Sequence, residues 1–82
     1  MTYGILCEKI ADGELPPGYY YAHVPALGLT THGLGLDGAR TAARDLVRLW
    51  ISEKRAHGEH VAAPEDFFFS TVDVSEDALQ GA

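Results

Sequence analysis

The order of apolar and polar positions changes twice along the chain. Residues 2–10, "TYGILCEKI", alternate imperfectly: Tyr3, Ile5 and Cys7 share one parity, Leu6 and Ile10 the other. β-rich composition and this alternation predict a first strand. "ADGELPPG" then collects Asp12-Gly13 and Pro16-Pro17-Gly18, residues that punctuate a loop. It is longer than a two-residue hairpin, so the connection is open. "YYYAHV" predicts a second strand with Tyr19, Tyr21 and His23 on one face and Tyr20, Ala22 and Val24 on the other. Pro25 ends it, because proline lacks the N–H that a ladder requires. Gly28 supplies a bend, and "LTTH" forms a short third strand. Short connections make these strands an antiparallel meander.

From Leu36 to about His57 the period lengthens. Leu36, Ala39, Ala43, Leu46 and Trp50 fall at spacings of three and four, on one helical face. Ala42, Leu49 and Glu53 widen it. Arg40, Arg44 and Arg48 form a stripe roughly opposite, with Val47 and Ile51 projecting beside it, away from the Leu46/Trp50 side. Asp37 in the first turn and Lys54, Arg55 and His57 in the last suit the helix dipole, and Gly58 is a natural stop. "FFFSTVDV", residues 67–74, alternates again and reads as a final strand. The expected fold class is therefore α+β: a three-stranded antiparallel meander, one long helix and a fourth strand (βββαβ), with the helix packed on one sheet face. Residues 1–74 make a single domain, and 75–82 a flexible tail. The other sheet face carries aromatics and stays wet unless a partner covers it.

Composition narrows the functions. A chain of 82 residues with 46% hydrophobic and 22% charged residues is an ordinary globular domain, small enough to gain from self-association. We therefore expect a homo-oligomer, a dimer or tetramer. The net charge of −6 argues against binding nucleic acid or anionic membranes non-specifically, which takes a cationic surface. The charge is also segregated. Five of the six basic residues lie within 37–57, while from Glu59 onward there are six acids and no Lys or Arg. Such a stretch either solvates a chain end or masks a basic partner. One cysteine, Cys7, excludes an internal disulfide framework; no signal pattern or long apolar run is present. The expected location is the cytoplasm.

Candidate chemistry is sparse. A base-stacking platform would interleave the tyrosines with cations, yet residues 10–39 hold no Lys or Arg. His23, His32, His57 and His60 could supply metal ligands, with Cys7 a fifth, but "HGEH" is interrupted by the helix-breaking Gly58. Cys7, in mid-strand, reads as a small hydrophobe rather than a nucleophile. "GLGLDG" lacks the dinucleotide-binding spacing. No cofactor, metal site or enzymatic activity is expected. The features that point to function are two surfaces suited to a protein partner. The first is Arg40, Arg44, Val47, Arg48 and Ile51 on the helix, where arginines flank aliphatics. The second is the strand bearing Phe67 and Phe69, whose edge could pair with another chain.

Tyr21, Pro25, Leu27, Gly28, Thr31, Gly33, Ala39, Gly58 and Pro64, taken with the element order and helix length, resemble the HicB-like antitoxin family from residue 3 to residue 74. Gly35 stands where that family has a Ser/Thr cap, Gly38 where it has a glutamate, and the stretch from Pro25 to Gly33 is one residue shorter. The resemblance implies a partial ribonuclease-H-like sheet without catalytic carboxylates. It also implies neutralisation of a small basic HicA-type RNA-cleaving toxin. Fuller members carry a C-terminal DNA-binding domain; the short tail here leaves no room for one, so no direct DNA binding is expected. The alternative is a standalone homo-oligomeric domain that binds a small ligand or metal, without a toxin partner.

Overall fold

The computed structural model describes residues 1–11 and 13–76. Strands β1 (Leu6–Lys9), β2 (Tyr19–Val24) and β3 (Leu29–Leu34) form one antiparallel sheet in the order β1-β2-β3. Helix α1 (Gly35–Ala56) follows at once, and a 3₁₀ turn (Pro64–Asp66) comes after it. Of the expected fold, the α+β class, the three-stranded meander and the single long helix are all present.

Register explains which residues reach the core. Ala22 lies opposite Cys7 on one side and Thr31 on the other, and Val24 lies opposite Leu29. Ala22, Val24, Ala39 and Ala43 form the buried centre, with Tyr3, Ile5, Cys7, Tyr20, Leu27, Leu29 and Val47 packed around it. The period of two divides the tyrosines as the pattern predicts, and the helix covers the face of Tyr20, leaving Tyr19 and Tyr21 on the open side.

The junction between β3 and α1 has no loop. Leu34 is the last strand residue and Gly35, at φ 69°, turns the chain into the helix in one step. Gly35 N–H donates to the Gly18 carbonyl at 2.7 Å, which anchors the corner. A Cβ on Gly33 would collide with the Gly38 carbonyl and lie 2.6 Å from Ala39 N. Strand and helix backbones thus touch here, and only glycine at 33 permits it. At the other end, Gly58 N–H bonds Arg55 O at 3.0 Å and Glu59 N–H bonds Lys54 O at 2.9 Å. With Gly58 at φ 68°, this is a Schellman stop.

Two expectations change. The buried stripe of α1 is Ala39, Ala43, Val47 and Ile51, one residue per turn, rather than Leu36, Ala39, Ala43, Leu46 and Trp50. Ile51 is 9% exposed, whereas Leu36 is 54% exposed. The helix starts against β3 at Gly33, and its C-terminal half faces Tyr3 and Ile5 on the β1 side. That crossing favours Val47 and Ile51 within a broad apolar arc. Residues 67–74, expected as the fourth strand, pair with neither sheet edge. Instead the Tyr3 hydroxyl donates to the Ala62 carbonyl at 2.8 Å, and the Phe69 ring rests where a Cβ of Gly4 would be. The tail reading over 75–82 lies, beyond Glu76, outside the described residues.

Gly33→Ala is expected to cost at least about 2 kcal/mol, through overpacking against backbone that cannot rotate away. Thermal unfolding should register this as a Tm loss on the order of 10 °C. Gly58→Ala, strained only by its left-handed φ, should cost about 1 kcal/mol. A larger loss at 58 than at 33 would contradict this account of the junction.

Candidate protein-binding cleft

The helix face beside the buried stripe is cationic because Arg40, Arg44 and Arg48 repeat every four residues, with Arg55 further along. Opposite them runs the N-terminal stretch, with Tyr3 and Ile5 against the core. Between the two walls lies an open cleft of about 800 Å³. Tyr3, Ile5, Ala43, Val47 and Ile51 give it an apolar floor; Arg40, Arg44, Arg48 and Arg55 stand around it, and among the described residues no acid lines it. The four arginines are exposed and form no ion pair with any described residue. Lys54, by contrast, is engaged: its amine lies 3.1 Å from Glu59 Oε2 and 5.3 Å from the Trp50 ring centre. Exposed arginines over aliphatic carbon are suited to meeting carboxylates, since the guanidinium fork binds them in two places and is weakly hydrated.

The cleft brings together five of the seven residues expected at an interface: Arg40, Arg44, Val47, Arg48 and Ile51. Their roles differ from the expectation. Val47 and Ile51 do not project outward: Val47 is half-buried and Ile51 buried, so they form floor rather than rim. Phe67 and Phe69 do not line the cleft and are exposed beyond the 3₁₀ turn. The sequence reading missed Tyr3, Ile5 and Arg55. The parity of Tyr3, Ile5 and Cys7 marks a core-facing set, but not which helix residues that set meets.

The open sheet face holds a second group. His23 Nε2 lies 2.9 Å from Glu8 Oε1 and its Nδ1 2.9 Å from Thr30 Oγ1, linking all three strands. The Tyr21 hydroxyl donates to Glu14 at 3.4 Å, and Tyr21 and Tyr19 lie against the His23 and His32 rings at 5.9 and 6.2 Å. Leu6 and Leu34 are exposed on the same face. His57 Nδ1 instead lies 2.8 Å from the Glu53 carbonyl. Among the described residues no three His, Cys, Asp or Glu side chains converge to hold a metal, and no helix is long and apolar enough to cross a membrane.

No family model matches this chain, and no curated protein or solved structure matches it either.

Because the Glu8–His23 pair is largely solvated, His23→Ala should cost less than about 1 kcal/mol. A urea midpoint shift implying several kcal/mol would instead make the bridge a principal support of the sheet.

Proposed function

We propose that this chain is a HicB-like, antitoxin-type protein-binding module. It works in the cytoplasm as a homo-oligomer and neutralises a small basic RNA-cleaving toxin of the HicA type. The observation that carries the reading is the stretch beyond the helix, where acids and large apolar side chains are interspersed and exposed. Phe67, Phe68, Phe69, Val72 and Val74 are all exposed, and Asp66, Asp73 and Glu76 lie among them. Carboxylates beside aromatic side chains suit a cationic protein surface: the charges steer association and the rings supply the apolar contact. In support, several of the residues that carry the resemblance stand at the joints of the fold. Pro25 and Gly28 form the β2–β3 turn, closed by Leu27 N–H to Val24 O at 3.1 Å. Gly58 stops the helix, and Pro64 opens the 3₁₀ turn.

The test is light scattering on the purified chain, alone and mixed with any small basic protein encoded beside its gene, followed by RNA cleavage by that protein. The expected outcome is a mixed complex heavier than the lone chain, with cleavage abolished at equimolar ratio. A neighbour that stays separate and cleaves undiminished overturns the reading. Phe67→Ala with Phe69→Ala should weaken the mixed complex at least about tenfold, as removal of aromatic anchors does. The folded midpoint should change little, since both rings are already exposed.

A further inference from the structure

The cleft and the arm have complementary chemistry, and both belong to the same chain. We propose that the arginine-rimmed cleft of one copy receives the acidic, phenylalanine-rich C-terminal arm of a second copy. Three observations carry this. The cleft offers apolar carbon at its floor and four arginines without acidic partners among the described residues. The arm offers what such a site lacks. Phe68 is 90% and Val72 84% exposed, and from Glu65 to Asp77 the sequence holds five acids and no cation.

The third observation decides between a chain's own cleft and another's. Phe69 rests on Gly4, whereas Tyr3 and Ile5, on either side of Gly4, pack toward the core and line the cleft. Phe67, Phe68 and Phe69 do not line the cleft, so the start of the arm lies outside the cleft of its own chain. Residues 70–76 continue exposed, carrying Asp73 and Glu76. Extended residues advance about 6.6 Å per pair and a helix about 5.4 Å per turn, so an extended arm can follow the arginine row. Each copy brings one arm and one cleft, so a two-fold pair closes with both contacts made twice. The same arm serves the toxin reading, and measuring the chain without a partner tests this contact apart from it.

The experiment uses the full chain without a partner. Light scattering over a dilution series should give twice the 8.9 kDa chain mass, with dissociation promoted by salt. Reversing the cleft (Arg44→Glu with Arg48→Glu) should yield monomers. Reversing the arm (Asp73→Arg with Glu76→Arg) should do the same. Mixed in equal amounts, the two reversed variants should recover the dimer, because each arm then meets a cleft of opposite sign. Circular dichroism checks that both remain folded; should the reversed cleft fail, Arg44→Gln with Arg48→Gln reads the same loss. A wild-type mass of one chain overturns the proposal. So does a dimer that survives both reversals, or a mixture that stays monomeric.

Discussion

The structure depends on one close approach, the backbone of Gly33 against Gly38 and Ala39. With no side chain at 33, α1 begins on top of the strand that precedes it, without a connecting loop. That contact fixes where the helix axis starts. The alanines at 39 and 43 then pack in one buried cluster with Ala22 and Val24. Small residues bring the two layers together, but they bury little apolar area each. Among the described residues Val24 is the largest side chain that is fully buried. A sheet of three strands with one helix cannot cover everything the chain carries, as expected of a small domain.

What remains uncovered is organised. A 22-residue helix is about 33 Å long, and a six-residue strand about 20 Å, so α1 overhangs its sheet. The overhang carries Arg48 and Arg55 past the strands, beside the N-terminal stretch, and a cleft results. Leu36 and Leu49 are left exposed along the helix, and Leu6 and Leu34 on the open sheet face. Charge segregation sharpens the picture. Cations are concentrated on the helix and acids beyond it, so arm and cleft differ in sign while sharing apolar character. In a folded chain whose arginines form no ion pair with any described residue, that polarity is available for binding rather than used up in internal pairs.

Much of this was legible in the residue order. Alternation divided β2 into two faces, Tyr19 and Tyr21 on one and Tyr20 on the other, without saying which lay inside. Pro25, Gly28 and Gly58 marked real ends, and the change from a period of two to one of three and four marked the helix. These are local properties: proline lacks an N–H, glycine tolerates a left-handed φ, and side-chain direction follows the backbone repeat. The arginine stripe was equally visible, since spacing by four needs no partner to define it.

The choice of buried face was not legible. Nine apolar residues between Leu36 and Ile51 span a broad arc, and any part of it satisfies the period. Only the crossing of the helix from β3 toward Tyr3 and Ile5 selected Val47 and Ile51 over Leu36 and Leu49. The cleft joins residues some forty positions apart, and its far wall comes from the N-terminal stretch, so no local pattern announced it. The phenylalanine stretch shows the same limit from the other side. Its alternation is that of a strand, but a strand also needs a partner edge, and here Phe69 lies on Gly4, ahead of β1, while residues 67–74 pair with no strand. The sequence by itself determined the elements, their turns and their charge, because those depend on neighbours along the chain. The tertiary structure alone decided which faces meet, because that depends on how closely two backbones can approach.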